Sequence, residues 1–142
     1  MYKILEEDEF GLKSHKKCHG AKKAIFISSW VHPGESNSSF VVEGIMKFLL
    51  SNSEEAQNLW DAFVFKIVPM LNPDGVIYGH YWTCLLGVDL NRRWKLPNWF
   101  LHPEIYYSKL MVQMIHMEWE VILFVDIHGH SRKKNIFMYG CS

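Results

Sequence analysis

An excess of charge of either sign is what this sequence most plainly lacks: Lys plus Arg and Asp plus Glu number 15 each in 142 residues, for a net charge of zero. A balanced chain sets up no strong field for a nucleic-acid backbone or an anionic bilayer, so neither nucleic acid nor membrane is expected as a partner. Cysteine is scarce too. Cys18, Cys84 and Cys141 are odd in number and lack the close paired spacing of a zinc ribbon or a disulfide framework, which fits a reducing compartment. No apolar run approaches the roughly 20 residues that cross a bilayer. The acidic start, MYKILEEDEFGLK, has no apolar core of a secretory leader. The expectation is a soluble, cytoplasmic protein. What the chain does have is core material, 49% apolar and 15% aromatic residues, in a length that suits one domain.

Residues 1–23 end in KSHKKCHGAKK, which mixes Lys, His and Gly without periodicity and reads as a linker or the remnant of a preceding domain. From residue 24 the pattern changes. AIFISSWV (24–31) is rich in β-branched and aromatic residues and predicts a buried strand. SNSSFVVEGIMKFLL opens with helix-capping types and carries apolar residues at Val41, Ile45, Phe48 and Leu49, an amphipathic helix. AFVFKIVPML (62–71) predicts a second strand closed by the turn signal NPDG, and HPEIYYSKLMVQMIHMEWE (102–120) a second helix with Pro103 in its first turn. VILFVDIHG is a third strand. Strand, helix, strand, helix, strand is the order of a doubly wound α/β sheet with flanking helices, whose ligands sit at the carboxyl ends of its strands.

Two of those ends carry donors. His32 and Glu35 follow the first strand and His128 follows the third, so the fold brings two nitrogens and a carboxylate to one rim. That set suits zinc and leaves a fourth position for water or substrate, as in a catalytic rather than a closed structural site. Singly, His32 has a lesser reading as a turn histidine and Glu35 as a first-turn glutamate favoured by the helix dipole. His130 lies two residues past His128; if the strand continues it faces the other way, and His128 is the favoured ligand. His116, among methionines in the second helix, reads as a packing or surface residue.

VHPGESNSSF, VPMLNPDGV, GVDLNRRW and DIHGHSRKKNIFMYGC together resemble the cytosolic carboxypeptidases, a branch of the M14-type zinc carboxypeptidases, from about residue 24 to the end. The resemblance implies a partial zinc carboxypeptidase domain over 24–142, with a truncated doubly wound mixed sheet. It implies one zinc ion held by His32, Glu35 and His128. It matches Asn91 and Arg92 to the pair that binds the substrate's terminal carboxylate, and Asp89 to a carboxylate that supports a zinc histidine. These roles make chemical sense, since a guanidinium fork suits a carboxylate and a ligand histidine needs its other nitrogen tied to an acceptor. On its own, the Asp89 and Arg92 pair reads equally as a surface salt bridge. Pro33 and Gly34 let the backbone turn between the two ligands.

The resemblance also implies what is missing. The family's general-base glutamate lies well downstream of its last zinc ligand, and the sequence given ends 14 residues past His128, so no catalytic acid or base is expected within it. Where the family carries an arginine that holds the developing oxyanion, this chain has Trp82, in GHYWTC, and His80 stands for an asparagine. The implied activity is removal of C-terminal residues, with glutamates of polyglutamylated proteins such as tubulin as substrate and a cytoplasmic location at microtubules or cilia. The alternative is a non-catalytic zinc or peptide-tail binding module. An amidohydrolase acting on N-acyl amino acids is a third reading, which the HPGESNSS and DIHGHSRKKN runs disfavour.

Overall fold

The computed structural model describes residues 2–4 and 22–140. Within them a five-stranded sheet runs in the order β3-β2-β4-β1-β5. The strands are β1 (Tyr2–Ile4), β2 (Lys23–Ser29), β3 (Phe63–Val68), β4 (Val121–Ile127) and β5 (Tyr139–Gly140). β2, β3 and β4 are parallel; β1 joins β4 antiparallel and pairs β5 in parallel, so the sheet is mixed. The segment expected to be a linker thus contains the short strand β1, and most of the rest of it lies outside the described residues.

β2 lies inside the sheet, between β3 and β4, because its residues suit burial on both faces. Ala24 and Phe26 enter the larger core with Phe124, Trp94 and Leu90, covered by Ile105, Val112 and Ile115 of helix α4 (Pro103–Glu118). Ile27 faces the other way, with Ile127 and Val42 of helix α1 (Asn37–Leu49). Phe26 and Phe124 stack at 4.9 Å between ring centroids. Between Ala24 and Ile25 the pairing with β4 slips by one residue, because Ala24 lies opposite Val121 and Ile25 opposite Leu123. That β-bulge sets the register of all that follows.

The predicted helices and strands form, with two corrections of detail. In α1 the fully buried residues are Ser38, Val42 and Leu49, whereas Val41 and Phe48 of the predicted stripe are exposed. Ile45 of the same stripe packs beside Val42 against Ile27 and Ile127, so Ile45 and Leu49 face inward as expected. NPDG is more than a turn: Asn72 caps the short helix α3 (Pro73–Ile77), its Oδ1 accepting from the Gly75 N–H at 3.0 Å. A further helix, α2 (Glu54–Ala62), has no predicted counterpart. Ser53 caps it, accepting from the Ala56 N–H, and Glu54 and Glu55 sit in its first turn, where the dipole favours anions.

Candidate metal and carboxylate site

The site grows from the end of β2. Trp30 takes a left-handed backbone conformation, φ 59°, rare for a bulky residue, and its indole N–H donates to the Pro33 carbonyl at 2.8 Å. The chain therefore turns sharply back on itself, burying Val31 in the core and aiming His32 across the strand ends. Asn72 pins the same turn, donating from Nδ2 to the Val31 carbonyl. On the far side, Ser38 Oγ donates to the Glu35 carbonyl at 2.6 Å and Ser29 Oγ to the Ser38 carbonyl at 3.0 Å, so α1 holds the loop from below. Gly34 is required by close approach: a Cβ there would lie 2.4 Å from the Tyr81 ring.

His32, Glu35 and His128 come together, all buried, each offering a donor atom within 4.8 Å of the others. Nδ1 of His32 lies 3.1 Å from Glu35 Oε1, and Nδ1 of His128 lies 3.2 Å from Oε2. The opposite ring nitrogens meet carboxylates, His32 Nε2 with Asp89 Oδ1 at 3.1 Å and His128 Nε2 with Asp126 Oδ2 at 2.6 Å. The Gly129 N–H also donates to Glu35 Oε2, at 2.7 Å.

Burial alone would raise the Glu35 carboxyl, but hydrogen bonds from His128, His32 and the Gly129 N–H bring it down to about 2. Burial would likewise lower His128, but its hydrogen bonds to Asp126 and Glu35, and their charges, raise it to about 9. The carboxylate is thus ionised and faced by two imidazoles whose outer nitrogens are already tied. A divalent cation among these donors would take the place of the protons on the inner nitrogens, and the set of two imidazoles and one carboxylate fits zinc.

The donors form part of the wall of a cavity of about 690 Å³ that also takes in Tyr81, Trp82, Asn91, Arg92, His130 and Tyr139. Asp89 caps a single 3-10 turn, Leu90–Arg92, accepting from the Asn91 N–H at 2.8 Å. The turn sets Asn91 inward and buried, its Nδ2 3.5 Å from His128 Nε2 and its Oδ1 without a partner among the described residues. Arg92 extends outward, its side chain 73% exposed and its Nε 4.0 Å from Asp89 Oδ2. The salt-bridge reading and the site reading of this pair therefore describe the same place.

Of the other residues singled out in the sequence, Trp82 and His130 line the cavity and the rest lie away from it. His130 is exposed and accepts at Nδ1 from the Arg132 and Lys133 N–H groups. His116 accepts from the Val121 N–H, and Arg93 is exposed. His80 turns Nδ1 to the Cys84 carbonyl at 3.1 Å and does not line the cavity. Trp82 packs edge-on against His32, with 4.3 Å between ring centroids. Asp126 and Ser28 carry no expectation from the sequence; a lone carboxylate inside the apolar run VILFVDIHG, two residues before a candidate ligand, is the signal that marks the first of them.

Comparison with known proteins agrees with this geometry. The family model described as zinc carboxypeptidase matches residues 10–140. Cytosolic carboxypeptidase 2 of Mus musculus is 56% identical over 121 residues, 85% of this chain and 14% of that protein. Cytosolic carboxypeptidase 1 of Danio rerio is 53% identical over 123 residues, 86% of this chain and 11% of that protein. This chain thus spans only about a tenth to a seventh of the length of these curated relatives. Among solved structures, a metallo-carboxypeptidase from Burkholderia cenocepacia superposes with a TM-score of 0.71 at 33% identity, covering 84% of this chain and 32% of that one. A metallo-carboxypeptidase from Pseudomonas aeruginosa, solved in complex with (2-guanidinoethylmercapto)succinic acid, gives 0.67 at 32% identity, covering 83% and 30%. No helix among the described residues is long and apolar enough to cross a membrane. With sequence, fold and donor geometry pointing the same way, the chain belongs to the zinc carboxypeptidase family.

Proposed function

We propose that this chain supplies the zinc-binding and chain-end-binding part of a metallocarboxypeptidase that removes C-terminal residues, with glutamates of polyglutamylated tails such as those of tubulin as its substrate. The observation that carries the reading is the convergence of His32, Glu35 and His128 on one wall of a cavity shared with Asn91 and Arg92. Zinc, when bound, supplies polarisation of the scissile carbonyl and activation of water. His32, Glu35 and His128 would be its ligands, and Asp89 would orient the His32 ring.

Arg92 receives the terminal carboxylate: its guanidinium is exposed at the cavity wall and only loosely engaged by Asp89, so a bidentate partner can take it. Asn91 orients that end through its buried side-chain amide, whose oxygen suits a substrate N–H. Preference for acidic tails is supported by the exposed run of His130, Arg132, Lys133 and Lys134, which follows the site directly. A cytosolic, microtubule- or cilium-associated location follows from such a substrate and accords with the relatives' names.

A second reading, a module that binds zinc and peptide tails without cleaving them, is favoured by one observation. Among the described residues that line the cavity, Glu35 is the one carboxylate, and both of its oxygens are engaged by the histidines. Metal analysis by native mass spectrometry tests the shared core of both readings. One zinc per wild-type chain, and marked loss in His32→Ala and in His128→Ala, is expected; full zinc in both variants would sink the metal assignment. Calorimetry with a glutamate-ended peptide and its C-terminal amide tests the chain-end pocket. The free acid should bind more tightly, and Arg92→Ala should erase the difference. Release of free glutamate from the peptide by the protein carried to the length of its relatives separates the enzyme from the binder.

A further inference from the structure

One buried carboxylate on β4 stands outside everything the motifs assign. Asp126 is fully buried in a strand flanked on one side by a parallel neighbour, where apolar side chains are the norm, and an ionised group so placed is strongly unfavourable unless hydrogen bonds hold it. Both of its oxygens are held. Ser28 Oγ donates to Oδ1 at 2.7 Å, and Oδ2 lies 2.6 Å from His128 Nε2. Ser28 is itself fully buried and sits directly across from Asp126 in the register of β2 and β4.

A cross-strand staple would need only the Ser28 contact and would not aim the second oxygen at an imidazole. The strand makes the aim possible, because residues two apart share a face, so Asp126 and His128 project together toward the site. With Asp126 accepting, a hydrogen is held on Nε2, so a metal that displaced the proton Nδ1 directs to Glu35 at 3.2 Å would find the lone pair on Nδ1. His32 has a parallel arrangement through Asp89, but the Asp89 side chain is 30% exposed on a loop turn, whereas Asp126 is locked between two strands. We propose that Asp126, fixed by Ser28, is a positioning residue that sets which nitrogen of His128 is presented to the metal and in what orientation.

The proposal rests on the zinc reading given above, and its test keeps the two apart. The chain is loaded with zinc as wild type, as Asp126→Asn and as Ser28→Ala. Zinc affinity is measured by competition with a chromophoric chelator, and the His128 ring is followed by long-range ¹H–¹⁵N NMR. Wild type should show His128 bound through Nδ1 with a downfield, slowly exchanging Nε2–H. Asp126→Asn should weaken zinc binding about 10–100-fold, with that proton shifted upfield or exchanging faster. Ser28→Ala should move both readings less, in the same direction. A purely structural role would lower the melting temperature but leave the Nε2–H signal of the folded, loaded fraction unchanged. Affinities within twofold of wild type together with an unmoved proton would overturn the proposal. Should Asp126→Asn not fold, Ser28→Ala decides it by the same two readings. A wild-type chain that takes up no zinc overturns the metal reading and this proposal together, whereas zinc bound equally by all three chains overturns this one alone.

Discussion

Along β2 and β4, the face turned to α4 and the face turned to α1 begin alike and end differently. Toward α4, Phe26 and Phe124 lie side by side in the register and stack, and the next row on that face is Ser28 and Asp126, followed by His128. Toward α1 the corresponding rows are Ile27 with Val125 and then Ser29 with Ile127, apolar on β4 to its last residue. The larger core thus gives up its last row to the site, and the smaller one does not. Polar chemistry at a strand end is tolerable where the rows beneath it are the best packed, because the aromatic layer holds the strands in register while the last row is given to hydrogen bonds.

The largest effect is expected of Phe26→Ala, which removes half of the aromatic stack under the site. A loss of about 3–5 kcal/mol in unfolding free energy is expected from a large-to-small change in this core. Urea unfolding measures it, and a loss below about 1 kcal/mol would mean that the stack does not support the polar row. Gly34→Ala attacks the loop above the same face. The new Cβ meets the Tyr81 ring at 2.4 Å, and overpacking of this kind costs about 1–3 kcal/mol. Because the obstacle is one side chain, adding Tyr81→Ala should restore most of the stability; failure to rescue would place the strain in the backbone. The smallest change has the opposite sign. Gly44 lies exposed within α1, and a methyl group added there would meet nothing within 4 Å, so Gly44→Ala should raise stability by about 0.5–1 kcal/mol without altering zinc affinity.

Much of this arrangement is legible from the sequence because it depends on local pattern. The parallel strands β2, β3 and β4 and the helices α1 and α4 follow from apolar runs bounded by turn signals, and strand-end placement picks out His32, Glu35 and His128 before any contact is known. What is not legible depends on conformation or register. The left-handed turn at Trp30 cannot be expected of a tryptophan, since the preference there is for glycine. α2 is short and polar, and its Ser53 cap is its clearest mark. The inward face of α1 keeps Ile45 and Leu49 of the predicted stripe but takes Ser38 and Val42 in place of Val41 and Phe48. Asp126 reads as one residue of a strand until its neighbour across the sheet is known. The proposed roles of Asn91 and Arg92 begin from motif resemblance, and the geometry that supports them, a buried amide beside an exposed guanidinium on the cavity wall, is not readable from the motif.

The slip in pairing between Ala24 and Ile25 has a consequence for how such a chain tolerates change. Val121 and Leu123 bracket it on β4, and the residue between them, Ile122, is the one left out of the count. Remove that allowance and Ser28 would stand beside Val125 rather than Asp126, with the alternation of faces carrying the wrong side chain to the rim. The site is therefore counted out from the opposite end of the strands. Substitutions near Ile122 leave that count intact, and so does deletion of Ile122 itself, which removes the residue left out, whereas one more residue in this part of β4 or one fewer in the facing part of β2 changes it.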